Sequence, residues 1–282
     1  MAPASASPSG ERIALLAGWI SRALDPERVA WFDSTLAALR RDAGERDLVR
    51  ALGLAPRKLG KGDLLLTADD LERANAVRPG FDPAGLTVDQ AARIAFLLAA
   101  DRGDDAGFAR RLMELHRTAD LAESIAYLRG LALFPGGRAL LPVAGEGVRS
   151  AIKPAFEAVA HRSPYPSEVF DEGAWNQMVL KALFIGSRLE PIQGLRERAN
   201  PELAQVLVDY AHERWAAGRP VSPELWLCVG PFAEGRMVDD LERVVVTGTP
   251  EERAAAAAAL QASPSEAARR VLAHHAGLDR GP

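Results

Sequence analysis

Two stretches of the sequence gather side chains able to do chemistry. In the first, Asn176, Gln177 and Lys181 sit among the apolar residues of the 174–185 run. At about 100° per residue, Met178, Val179, Leu180 and Phe184 spread round the whole helix. A helix apolar all round is a buried one. Gln177 and Lys181 are then i,i+4 neighbours on one face, and Asn176 lies between Leu180 and Leu183 on another. A buried amide needs a partner, and a buried lysine needs a carboxylate or a lowered pKa. Three uses fit: internal bonds that fix helix order, a polar spot that binds a ligand, or catalysis. For Asn176 the expectation is a buried amide bonded to the backbone of the 163–167 loop, whose prolines leave carbonyls without helical partners.

In the second stretch, a helix beginning at Asn200-Pro201 puts Leu203, Val206, Leu207, Tyr210 and Ala211 on one stripe. Asp209 and Glu213 share the opposite side, His212 lies between them in angle, and Trp215 borders the stripe. Arg198 and Asn200 reach the start of the same helix. A carboxylate, an imidazole and an indole so placed suit a metal or a cationic ligand. The plainer use is a solvated face, or one bridged to a neighbouring helix. Taken together, the candidate ligand or partner-binding residues are Asn176, Gln177, Lys181, Arg198, Asn200, Asp209, His212, Glu213 and Trp215. No catalytic set and no metal-ligating set is assigned, and no cofactor is expected.

Other motifs are missing or read as structure. Gly136-Gly137, Gly145 and Gly147 are not followed by the Gly-Lys-Ser/Thr of a phosphate loop. Ser187 follows Gly186 without the second glycine of a nucleophile elbow. Cys-x-x-Cys, His-Glu-x-x-His and calcium-loop spacings do not occur. Cys228, the one cysteine, lies in Leu-Trp-Leu-Cys-Val and reads as a small buried hydrophobe. Adjacent His274 and His275 diverge by about 100° and suit a helix C-terminus better than a metal.

Charge excludes some partners. The chain of 282 residues has 34 basic and 38 acidic groups, a net charge of −4. The first 150 residues balance at 20 of each, leaving 14 basic and 18 acidic in the remainder. Neither half has the basic excess of a nucleic-acid binder. The densest basic stretch, Arg40 to Lys61, is interleaved with Asp42, Glu45 and Asp47. Uncharged apolar runs such as Ile94 to Ala100 fall far short of the ~20 residues of a membrane span. Residues 1–10 lack a signal-peptide pattern and are expected to be a disordered tail on a cytoplasmic protein.

The elements that position these residues announce themselves by their starts. A polar cap followed by proline occurs at Asp25-Pro26, Asn200-Pro201, Ser222-Pro223, Thr249-Pro250 and Ser263-Pro264. Capping boxes are expected at Thr87/Gln90, Thr249/Glu252 and Ser263/Glu266. Strand alternation is lacking. The fold class is therefore all-α, an array of helical hairpins, either HEAT-like or an irregular α-solenoid. Helices are expected over 10–24, 26–43, 45–52, 67–76, 87–101, 104–117, 119–132, 147–161, 171–185, 200–217, 222–230, 236–247, 249–261 and 264–276. Gly53–Asp63 and Leu141–Gly147 read as breakers. The regions are an N-terminal 11–135 and a C-terminal 136–282, packed as one continuous unit.

The run Trp175-Asn176-Gln177-Met178-Val179-Leu180-Lys181-Ala182-Leu183-Phe184 resembles the EboA family. So do Arg198-Ala199-Asn200-Pro201-Glu202-Leu203-Ala204, the Asp209 to Trp215 segment, Pro164-Tyr165-Pro166, and Leu225-Trp226 with Gly230-Pro231-Phe232. The similarity covers about 150–247 well and the N-terminal half loosely. The resemblance implies a bacterial or algal protein. Its gene would sit beside those of a prenyltransferase-like membrane protein, a TatD-like hydrolase, a dehydroquinate-synthase-like protein and a TIM-barrel protein. That cluster is tied to traffic or export of a metabolite, notably a cyanobacterial sunscreen pigment precursor. The family brings no assigned reaction and no catalytic residues. A binding or adaptor protein is the expectation, its partners a metabolite or cluster-encoded proteins. The alternative is an enzyme, or a small-molecule binder, with a polar site between helices 171–185 and 200–217.

Overall fold

The computed structural model describes residues 8–42 and 44–275. Among them the chain forms sixteen α-helices and three short 3-10 turns, with no strand. Residues 1–7 of the expected tail lie outside the described residues, whereas Pro8, Ser9 and Gly10 already open the first helix. No described helix is long and apolar enough to cross a membrane. The chain divides into two compact units, Met1–Phe170 and Asp171–Pro282. Position 135/136 falls inside the first.

Unit 1 holds α1 (Pro8–Ala23), α2 (Pro26–Asp42), α3 (Glu45–Leu59), α4 (Ala68–Val77), α5 (Val88–Ala99), α6 (Asp105–Thr118), α7 (Leu121–Gly130), α8 (Leu141–Arg149), α9 (Lys153–Ala160) and α10 (Tyr165–Val169). Every residue of α5 except Gln90 is buried. The helices α1, α2, α3 and α7 pack around it. A central helix, rather than a nearest-neighbour stack of hairpins, organises this unit.

Two expected breakers are helical, each for a non-local reason. α3 runs through Gly53 and Pro56 to Leu59. Proline has no N–H to give the carbonyl of Leu52 four residues back. That carbonyl is instead taken by the buried Arg93 of α5, whose Nε donates to it at 3.2 Å. Arg93 also donates to Asp89 at 2.7 Å, and both side chains are buried. In α8, Gly147 lets the helix approach its neighbours: a Cβ there would stand 2.5 Å from Val159 Cγ2 and 2.9 Å from Leu128 Cδ2. The expected helix 147–161 is in fact split between α8 and α9.

Asp70, at the start of α4, is the other buried polar anchor of unit 1. It accepts from the Thr67 backbone N–H at 2.9 Å, from Thr67 Oγ1 at 2.8 Å and from Trp19 Nε1 at 3.1 Å. Arg22 pairs with it as well. The Thr67 amide foremost, with help from Arg22 and against the effect of burial, holds this carboxyl well below the usual range.

Unit 2 holds α11 (Glu172–Phe184), α12 (Pro201–Ala216), α13 (Trp226–Val229) between two 3-10 turns, α14 (Arg236–Thr247), α15 (Pro250–Ala262) and α16 (Glu266–His275). The α14, α15 and α16 helices pack consecutively. The Thr249/Glu252 capping box forms, with Thr249 N–H donating to Glu252 at 2.7 Å. The expected Ser263/Glu266 box does not, because Ser263 Oγ donates to the carbonyl of Ala233 at 2.7 Å and α16 starts only at Glu266. Gly230 is pressed so close to α15 that a Cβ would meet the Ala259 carbonyl oxygen at 2.7 Å.

Candidate functional site

The α11 helix begins at Asp171, whose side chain accepts from Ala174 N–H at 2.8 Å. Trp175, Asn176, Met178, Val179, Ala182 and Leu183 are buried. Gln177 and Phe184 are exposed, and Lys181 is half-buried. The helix is thus not buried all round, as its apolar pattern suggested. Its solvent face includes Phe184, which sets its ring edge-on to Tyr210, 5.0 Å away.

Asn176 is buried and bonded within the protein, as expected, but its partner is Asn200 rather than the 163–167 loop. The two amides pair reciprocally: Asn176 Nδ2 donates to Asn200 Oδ1 at 3.3 Å, and Asn200 Nδ2 to Asn176 Oδ1 at 2.9 Å. The same Asn200 oxygen caps α12 by accepting from Leu203 N–H at 2.8 Å. Asn200 Nδ2 also reaches the carbonyl of Arg198 at 3.2 Å. The Arg198 guanidinium stands 4.8 Å from the centre of the Trp175 ring. Trp175 itself is fully buried, and among the described residues its Nε1 has no acceptor.

A second cluster lies farther along α12. His212 Nε2 sits 2.7 Å from Asp240 Oδ2 on α14. The His212 ring is 5.7 Å from Trp215. Trp215 stacks on Trp226 at 5.9 Å and 30°, and the Arg243 guanidinium lies over the Trp215 ring, 4.5 Å from its centre. Trp215, Trp226, Arg243 and Val221 help line a cavity of about 210 Å³. Twelve residues separate Asn200 from His212, or ~18 Å of helix axis. The two clusters are therefore distinct. Asp209 accepts from Gln205 at 2.9 Å, one turn away on its own helix, and Glu213 is exposed. Among the described residues no three of His, Cys, Asp and Glu converge to hold a metal. Burial pushes the Cys228 thiol up to about 12, against a lowering influence from Arg196. It is a thiol at neutral pH, not a nucleophile.

Sequence reasoning missed Asp240 and Arg243, and it missed a groove of about 550 Å³. The groove runs between the 190–197 loop, the Pro223–Pro231 segment and α15. Trp226 and Leu227 give it an apolar floor, and alanines of α15 give it a smooth wall. The signals were present as the Ala254–Ala259 run and as Leu225-Trp226. Neither displays a groove by itself, because a groove is a relation between segments that a single helix does not show.

A family model described as "Metabolite traffic protein EboA" matches residues 12–230. The chain belongs to the EboA family. The EboA match takes in the N-terminal half, where the resemblance had looked loose, and it ends at Gly230, ahead of α14 to α16. The Asn176–Asn200 pair, His212, Trp215 and Trp226 lie inside it, while Asp240, Arg243 and the alanine wall of the groove lie beyond it. Neither the comparison with curated proteins nor that with solved structures gives a match.

Proposed function

We infer that this EboA-family protein serves metabolite traffic as a cytoplasmic binding or adaptor component, holding a metabolite and presenting it to cluster-encoded proteins, without catalysing a reaction. The observation that carries the reading is the groove beside α15. Its volume of about 550 Å³ suits a small-molecule site, and its walls are largely apolar. Of the polar residues that suggested chemistry, Asn176 and Asn200 bond each other, and His212 bonds Asp240. The second reading, a ligand or enzyme site between α11 and α12, is favoured by one group, the acceptor-less Nε1–H of buried Trp175.

The test is to purify the intact chain from a host carrying the gene cluster, extract it and identify what it retains by mass spectrometry. The reading expects a co-purifying metabolite that disappears from an Ala258→Phe variant, along with capture of cluster-encoded proteins by the wild type. Turnover of that metabolite by the purified chain alone, abolished by His212→Ala, would replace this reading with the enzymatic one.

A further inference from the structure

Helix α15 shows two different uses of alanine. Ala256 and Ala259 are buried; Ala259 lies against Gly230, where a Cβ would meet its carbonyl oxygen at 2.7 Å, and it also borders the groove. Ala255, Ala258 and Ala262 are not buried. At about 100° per residue they fall with Glu251 on one stripe next to that packed face. This stripe lines the groove. Their small side chains leave the groove open along its length. From Glu251 to Ala262 the wall extends ~16 Å.

The lining of the groove carries an excess of carboxylates. Four carboxylates, Glu190, Glu197, Glu224 and Glu251, line the groove against one lining guanidinium, Arg196. Arg188, beside the rim, pairs with Glu190 and with Glu224, each at 3.4 Å. Glu224 also accepts from Leu189 N–H at 2.5 Å. Counting both arginines still leaves two carboxylates in excess. An anionic occupant would meet net repulsion in this largely apolar trough, and a cation would be drawn in.

We propose that this groove binds an elongated apolar molecule bearing an ammonium or other cationic head, with its chain along the alanine wall and its head at the Glu197/Glu251 rim. The proposal rests on the binding reading above and names the ligand class for the same site. A small molecule is chosen over a partner helix because the volume is that of a ligand pocket. A protein occupant would need a surface several times wider.

The experiment uses the full-length chain and two probes of equal chain length and opposite charge, dodecylammonium and dodecanoate. Both are titrated calorimetrically below their micelle concentrations. Dodecylammonium is expected to bind with one-to-one stoichiometry and at least tenfold more tightly than dodecanoate. Shortening it to decylammonium should weaken binding about tenfold, as two buried methylenes require. The Glu197→Gln/Glu251→Gln pair should reduce the preference between probes to about twofold, and Ala258→Phe should abolish binding. Ala262→Leu, at the far end of the stripe, serves as a second blocking variant should Ala258→Phe fail to fold. Equal binding of the two probes, binding of neither, or binding that survives both blocking variants overturns the proposal. So does a dimer or a bound peptide that the same two variants disrupt. A metabolite retained by the chain from its host, combined with no dodecylammonium binding, overturns the ligand class and leaves the binding reading standing. Loss of both overturns the two together.

Discussion

Single residues here act through partners far away in sequence. Asn176 shows what a sequence can and cannot say about that. Its burial followed from the apolar residues around it, but its partner did not. The prolines of 163–167 were expected to leave carbonyls wanting donors. In the structure the Pro164 carbonyl accepts from Ser167 Oγ at 2.8 Å and from Glu168 N–H at 3.1 Å, and the Pro166 carbonyl accepts from Phe170 N–H at 3.1 Å. Asn200 was visible as a helix cap, yet nothing local reveals that a cap has a second amide face to offer. Asn176→Leu should therefore strand the Asn200 amide and lower stability by about 1–3 kcal/mol. Chemical denaturation checks this, and a double-mutant cycle with Asn200→Ala should show coupling between the two sites. Asp70 gives a pH prediction. Its folded pKa is depressed, so its contribution to stability is fully present above the unfolded value, ~3.9, and is lost as pH falls below it toward the folded one. Asp70→Asn should be clearly less stable than wild type at pH 5, with the gap narrowing at pH 3. A constant gap in urea midpoints across that range would refute the assignment.

For the helices, three of the five expected cap-proline starts, at Asp25, Asn200 and Thr249, carry a cap bond, while Ser222 and Ser263 do not. The caps at Asp25, Asn200 and Thr249 each accept a backbone N–H of the first turn. A cap is a local bond, so sequence displays it. The continuation of α3 past Pro56 depends on Arg93, some forty residues away. Replacing Arg93 with Met should cost about 3–5 kcal/mol, because it leaves Asp89 as an unpaired buried carboxylate and the Leu52 carbonyl without a donor. The midpoint of thermal unfolding is the readout. In α8 two effects oppose each other at Gly147. Alanine gains about 1 kcal/mol of helix propensity. Against that, its Cβ would stand 2.5 Å from a methyl of buried, β-branched Val159, which has little freedom to move. Overpacking costs about 1–3 kcal/mol, so Gly147→Ala should be net destabilising. A gain in stability would show that α8 and α9 can move apart.

Across the whole molecule, the all-α class was legible because cap-proline pairs and the lack of alternation are statements about every segment at once. The arrangement was not. Helix α5 is central because four other helices find it, and its own twelve residues only show that it is apolar. The division at Phe170 carries no composition shift to mark it. The groove likewise becomes visible only once α15, beyond the family match, lies beside the 190–197 loop. The tryptophans add a consequence of another kind. Trp19 and Trp31 belong to unit 1, whereas Trp215 and Trp226 form a stacked pair in unit 2. Two indoles 5.9 Å apart share their excited states, so the pair should give a split circular-dichroism band that no isolated indole produces. Trp226 borders both the cavity of about 210 Å³ and the groove of about 550 Å³. A molecule that alters the tilt between the rings on entering either one would change the band and so report its arrival without any label. Trp215→Phe should erase the signal while leaving the groove intact.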